Sequence, residues 1–267
     1  MEWFLIALTS FLTVISPVGL ITDQIIANNI RDRVNSVEEL SVRVDNTPSF
    51  QLLQGKVQKI RIASRGLEPL ENIRLDVLDI ETDPIEIDVK NLQVSNLQAL
   101  RSTLKKPLQG AFHLVITPED INQALADPKI KNRIQDLLKR VLPADAPPLE
   151  LLNAQVTFLE NQRLKTVVEL QQPGEEGEPP ETLKLLLETG LKIQQGKSLT
   201  LTEPVAYLND RKISSRLVTS IIGSFSDRLN LETLEKQGII ARVLKFEMTP
   251  QALDIAAFVR LNPTSPN

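Results

Sequence analysis

Hydrophobic and polar positions change their spacing twice along this chain. From Trp3 to Ile21, WFLIALTSFLTVISPVGLI, the residues are almost all apolar, and no charge lies between Glu2 and Asp23. As a helix this run would extend about 28 Å, close to the ~30 Å hydrocarbon core of a bilayer. It is therefore expected to be an uncleaved membrane anchor with Trp3, Phe4, Leu5, Ile6, Phe11, Leu12, Val14 and Ile15 in lipid. A cleaved secretory signal is the competing reading. It would want a basic start and a small-x-small cleavage site, whereas here Glu2 precedes the apolar run and no Ala-x-Ala follows. Pro17 and Gly19 interrupt a helix but are tolerated in membranes. Arg31 and Arg33 alone give little basis for an orientation.

After the anchor, Ile21, Ile25, Ile26, Ile30, Val34 and Val37 recur at helical spacing, with Asp23, Asn28, Arg31 and Asp32 between them. This predicts an amphipathic helix, either lying along the membrane or capping the domain core, and closes an N-terminal segment 1–37. From Leu40 the period becomes two. Val42 and Val44 alternate with Arg43 and Asp45; strands are predicted again at Val57–Ala63, Ile73–Glu81 and Ile85–Val89. Turns rather than helices separate them, which argues for antiparallel meanders in a domain of 38–267.

Phe112–Ile116 reads as a strand running into Thr117-Pro118-Glu119-Asp120, a helix start with a capping Thr, Pro at the first position and two acids. A second start, Asp127-Pro128, opens a helix with Ile130, Ile134, Leu137, Leu138 and Val141 on one face. Its other face is basic (Lys129, Lys131, Arg133, Lys139, Arg140) and is either solvated or set against lipid headgroups. Residues 143–148, rich in Pro and Ala, mark a possible internal boundary. Beyond it alternation returns at Ala154–Phe158, Leu164–Leu170, Leu183–Leu187 and Leu199–Thr202, with an acidic Pro/Gly connection at 171–182. A long helix is predicted over Lys212–Leu229, carrying the stripe Ile213, Leu217, Ile221 and Phe225. Two strands, Ile239–Met248 and Leu253–Leu261, close the chain.

Charge and composition narrow the chemistry. Net charge is −4 and no Lys/Arg block stands out, which argues against nucleic acid as a partner. Without cysteine there are no disulfides, thiol nucleophiles or cysteine metal sites, and a single histidine rules out multi-histidine centres. No phosphate-binding glycine loop, dinucleotide fingerprint or GxSxG elbow occurs, so no cofactor and no metal are expected. His113 lies mid-strand and reads as structural. The densest carboxylates are Asp76, Asp79, Glu81, Asp83, Glu86 and Asp88. Glu86 and Asp88 read as the outward half of an alternating strand and the group as a solvated edge; the alternatives are general acid–base work on a sugar, or calcium binding, for which the loop spacing is lacking. Aromatic residues are only 4%. Leu- and Ile-rich strand faces with few polar anchors suit either a plain core or a groove for acyl chains, which must replace about 0.8 kcal/mol per methylene lost from the bilayer.

The run Val42-Arg43-Val44-Asp45-Asn46-Thr47-Pro48-Ser49-Phe50-Gln51-Leu52-Leu53-Gln54-Gly55-Lys56-Val57, continued by Ile60–Leu67, resembles the LmeA-like phospholipid-binding family, and its cyanobacterial members in particular. Leu78–Ile85 and the opening Ser16-Pro17-Val18-Gly19-Leu20 are similar to the same group, and the resemblance extends over nearly the whole chain. It implies a non-enzymatic lipid binder of the cell envelope, on the periplasmic side of a bacterial membrane. It also implies an α+β fold like the tubular lipid-binding proteins: a curved antiparallel sheet wrapped around a long amphipathic helix, here preceded by the apolar N-terminal helix. No catalytic residues carry over. The expected function is membrane-tethered binding or transfer of phospholipid or glycolipid, with Ile213, Leu217, Ile221 and Phe225 lining the groove. The alternatives are an accessory or enzyme of envelope glycolipid assembly using the carboxylates of 76–88, and an envelope scaffold that binds a partner protein.

Overall fold

The computed structural model describes residues 23–88, 97–141, 148–174, 179–216, 218 and 230–264. The chain opens with helix α1 (Asp23–Arg31), strand β1 (Ser36–Asp45), a 3₁₀ turn (Ser49–Gln54) and strands β2 (Lys56–Val57), β3 (Lys59–Leu70), β4 (Ile73–Thr82) and β5 (Ile85–Glu86). Helix α2 (Leu97–Thr103), strand β6 (Leu108–Ile116) and helices α3 (Pro118–Ala126) and α4 (Pro128–Val141) follow. Then come β7 (Glu150–Leu159), β8 (Arg163–Gln172), β9 (Glu181–Gln194), β10 (Ser198–Leu208) and β11 (Arg211–Lys212). A second 3₁₀ turn (Leu231–Gln237) leads into β12 (Ile239–Met248) and β13 (Leu253–Leu261).

These elements form two compact units. The first comprises Met1–Val115, Leu231–Lys245 and Asp254–Asn267; the second comprises Ile116–Asn230 and Phe246–Leu253. The first unit is built on a six-stranded sheet in the order β1-β3-β4-β6-β13-β12. Alternation decides which face is buried. In β3, Ile60, Ile62 and Ser64 point inward, opposite Val44, Val42 and Leu40 of β1, while Ile62 and Ser64 also face Ile80 and Leu78 of β4. Short elements cover this face: Ile26 of α1, Leu100 of α2 and Leu234 of the second 3₁₀ turn join Ile60, Ile85, Ile239 and Leu261 in one cluster. At the cluster's centre, Ile26, Ile60 and Ile239 have no exposed surface.

The second unit carries a five-stranded sheet in the order β11-β10-β9-β8-β7. Helix α3 begins as its sequence dictates: Thr117 Oγ1 accepts from the Asp120 amide at 3.1 Å, and Asp120 Oδ2 accepts from the Thr117 amide at 2.9 Å.

The expected α+β fold, a single sheet around one long helix, is therefore corrected. Strand makes up 55% and helix 25% of the described residues, and the longest helix among them is the 14-residue α4. The reason is that period-two alternation dominates the chain, and its runs gather into two large sheets, each with its own apolar clusters and short covering elements. Of the predicted helix over 212–229, Lys212 belongs to strand β11, and Leu217 and residues 219–229 lie outside the described residues. The N-terminal run with Trp3, Phe4, Leu5, Ile6, Phe11, Leu12, Val14 and Ile15 lies outside them too, as do residues 142–147 of the proline-rich break. Among the described residues no helix is long and apolar enough to cross a membrane.

Truncating Ile60 to Ala should cost about 2–5 kcal/mol in denaturant unfolding, because a closed core cannot collapse onto the space. Leu244→Ala, at a position 69% exposed, should stay within about 0.5 kcal/mol.

Candidate functional site

In the second unit, strand register brings apolar side chains of four strands onto one face. Leu151, Ala154, Val156 and Phe158 of β7 lie opposite Leu170, Val168, Thr166 and Leu164 of β8. These in turn face Leu183, Leu185, Leu187 and Thr189 of β9. On β10, Leu199, Leu201, Ala206 and Leu208 face Ile193, Leu191, Leu187 and Leu185. The other face carries Lys165, Glu169, Lys184 and Glu188, with Arg163 Nε bonded to Glu188 at 3.0 Å.

Two bulges keep this face in phase. Leu151 and Ala154 are three apart, which simple alternation would send to opposite sides; the irregularity between Leu151 and Asn153 absorbs the odd residue and leaves Leu152 exposed. On β10 the shift between Thr202 and Val205 returns Ala206 to the side of Leu201. There Gly190 lets the strands approach, since a Cβ would lie 2.4 Å from Thr202 Oγ1. The buried Thr189 hydroxyl donates to the Thr202 carbonyl at 3.0 Å.

The face is only partly hidden. Leu151, Ala154 and Leu170 form one buried cluster with Leu125, Ile134 and Leu138 packed against it, and Ala206 and Val218 form another with Leu187, Leu201 and Ile213. Leu164, Val168, Leu183, Leu185, Leu187, Leu191 and Ile193 all remain half-buried. Ile213, just after strand β11 and not within a helix, packs against the Ala206–Val218 cluster; Leu217, Ile221 and Phe225 lie outside the described residues.

At the β7 end the two helices are fastened by side-chain amides. Asn122 of α3 donates to the Val156 carbonyl at 2.9 Å and accepts from the Val156 amide at 2.7 Å. Gln135 of α4 does the same farther along the strand, donating to the Leu149 carbonyl and accepting from the Leu151 amide at 2.7 Å. An edge strand otherwise left with open backbone groups is thereby satisfied. Between α4 and the ends of β7 and β8 opens a cleft of about 720 Å³, within the range of small-molecule sites. Lys131, Gln135 and Lys139, at four-residue spacing, line one wall; Pro148, Leu149 and Leu151 line the other, with Pro173 and Pro180 at its margin. Lys131 also reaches the Leu152 carbonyl at 3.2 Å. Sequence alone assigns this basic face to solvent or to lipid headgroups; two of its lysines line a cleft that Pro148, Leu149 and Leu151 share with Glu150 and Gln171.

The carboxylates of 76–88 are placed elsewhere, in the first unit. Asp76 meets Arg74 at 3.1 Å, Asp79 meets Arg65 at 2.6 Å, and Glu86 meets Lys106 at 2.7 Å. Glu81 pairs with Lys59 at 2.5 Å and Arg61 at 3.1 Å, and these two cations hold its carboxyl below the usual carboxylate range. Asp45 is lowered likewise, by Arg43 first and then Arg61. His113 lies between Asp254, 3.1 Å from Nε2, and Asp79, 3.5 Å from Nδ1; Asp254 is held low by Lys245 and then His113. Among the described residues no three His, Asp or Glu side chains converge as a metal-binding group.

Two expectations follow. Gln135→Leu should cost about 1–3 kcal/mol by orphaning the Leu149 carbonyl and the Leu151 amide, and hydrogen exchange at Leu151 should accelerate relative to β9. Because the Glu81 carboxyl is depressed in the folded chain, its contribution to stability is full above its ordinary pKa and is lost as pH falls through the lower folded value. Thermal melts below about pH 4.5 should therefore show a weaker acid dependence in Lys59→Gln/Arg61→Gln than in the parent chain.

No curated protein matches the chain. A solved structure of Extended-Synaptotagmin 2 that includes its SMP domain aligns over 98% of this chain and 66% of that one, at 10% identity and a TM-score of 0.12, too low to carry a statement about fold or ligand. The family model described as LmeA-like phospholipid-binding matches residues 13–258. That match takes in both sheets and nearly the whole sequence, and the chain belongs to the LmeA-like phospholipid-binding family.

Proposed function

We propose that this protein is a non-enzymatic phospholipid carrier tethered to a membrane of the cell envelope by Trp3–Ile21, and that the second unit holds the lipid. The observation that carries this reading is a cleft walled by Lys131 and Lys139 that shares Leu151 with a sheet face whose leucines on β8 to β10 stay half-buried. A phospholipid has the same division: an anionic phosphate, and acyl chains that must leave water. The phosphate is placed against the two lysines, as charge-assisted hydrogen bonds favour. The chains run from Leu151 and Leu170 across Leu183 and Leu185 toward Leu187, Leu201 and Ile213. Membership of a phospholipid-binding family supports the ligand class, and the apolar run before Asp23 supports the tether. The paired carboxylates of the first unit take no part in this scheme.

Full-length protein extracted in mild detergent should retain phospholipid visible by native mass spectrometry. Lys131→Gln/Lys139→Gln should weaken uptake of a fluorescent phospholipid at least tenfold, as expected for losing charged hydrogen bonds of about 1.5–3 kcal/mol each. Asp79→Asn and Glu81→Gln should leave uptake unchanged. Protein that emerges free of lipid and takes up none would overturn the reading.

A further inference from the structure

The first unit carries an apolar tip that the lipid-carrying reading does not use. In the 3₁₀ turn Ser49–Gln54, Phe50 is 59% and Leu53 76% exposed, while Leu52 between them packs on the core of the unit. The turn is braced on both sides. Gln58 donates to the Thr47 carbonyl at 2.6 Å and its amide donates to Asn46 Oδ1 at 3.0 Å. Gly55 closes the turn at φ 74, a left-handed conformation that favours glycine, and its carbonyl accepts from Ile87. A turn held this firmly does not let Phe50 and Leu53 fold back onto the core that takes Leu52.

The position of this tip is informative. It follows the C-terminal end of β1, and Asp23, the first residue of α1, accepts a hydrogen bond from the Val44 amide at that same end, at 2.8 Å. The far end of β1 is tied instead to Glu68, through Asn35 and Ser36. A ten-residue strand separates its two ends by about 30 Å, so the chain before Asp23 joins the unit at the end of β1 that leads into the Phe50–Leu53 turn and not at the opposite end. That chain is the uncharged apolar run Trp3–Ile21. Charges of both signs stand at this end: Lys56 and Lys106 beside Glu86 on the β2–β5 ladder, and Arg43 paired with Asp45 beside Asp23 at the end of β1. The end therefore neither repels a lipid surface nor depends on an anionic one.

We infer that Phe50 and Leu53 dip into the headgroup–acyl boundary of the bilayer that holds the anchor, forming a second, interfacial contact that sets how the first unit stands on the membrane. The inference rests on the tether proposed above, and on no part of the lipid-carrying cleft.

The absence of cysteine makes a direct test possible. Full-length Leu53→Cys and Phe50→Cys, each labelled with an environment-sensitive fluorophore, are reconstituted into phosphatidylcholine vesicles with and without bromine-quencher lipids. Leu244→Cys, equally exposed but on β12, is the control. Trp3, the only tryptophan, reports separately on the anchor. Quenching at positions 50 and 53 comparable to that of Trp3, with less than a tenth of it at 244, is the expected result, and 20% phosphatidylglycerol should change it less than twofold. Quenching of Trp3 with an aqueous signal at both 50 and 53 overturns the inference while leaving the tether standing. An aqueous signal at Trp3, 50 and 53 together overturns both. Equal quenching at 244 also overturns it, since the contact would then not belong to the tip.

Discussion

The second unit depends on keeping one sheet face apolar without closing it. Four strands contribute leucine, valine and alanine to that face, and the register must hold across all of them, because a slip of one residue would turn every side chain to the opposite side. Two bulges maintain the phase, at Leu151–Asn153 and at Thr202–Val205, where Thr189 and Gly190 take up the close approach. A face built this way is wetter than a core. Leu185 and Leu187 remain half-buried, Leu187 against the Ala206–Val218 cluster, and the proposed carrier role gives this apolar face its ligand.

The first unit answers a different demand. Its inner face is closed by Ile26, Leu100 and Leu234, each on a short element, and its outer face is knitted by cross-strand ion pairs such as Arg65 with Asp79 and Arg61 with Glu81. Pairs this exposed contribute little stability individually. Of the carboxylates in 76–88, Asp79 and Glu81 lie on the outward face of β4 and meet cations of β3, while Asp76 pairs with Arg74 on its own strand and Glu86 on β5 pairs with Lys106.

Most strands are legible from alternation alone, and the start of α3 from Thr117, Pro118 and Asp120, because these signals are local. The division into two units is not, since it depends on β12 and β13 returning to the first sheet after the second has been completed. The cleft is half legible. Lys131 and Lys139 stand out as part of a basic face, but their place beside Leu149 and Leu151 follows from Gln135 capturing an edge strand, a contact between residues 14 and 16 apart that no periodicity reveals. The bulge at Leu151 is equally hidden, since it breaks the alternation by which strands are read. The family match runs over residues 13–258, while the motifs at Val42–Val57, Ile60–Leu67 and Leu78–Ile85 map to the first unit and not to the cleft.

The most direct test of the central claim is to load the full-length protein with a phospholipid carrying a photoactivatable group on its acyl chain, irradiate, and map the adducts by peptide mass spectrometry. Adducts concentrated on β8 to β10 are the expected result, at Val168 and its register partner Leu185 and at Leu183, Leu187 and Leu201 on the same half-buried face. Adducts confined to the first unit, or none above the level seen with a lipid that lacks the photoactivatable group, would contradict it.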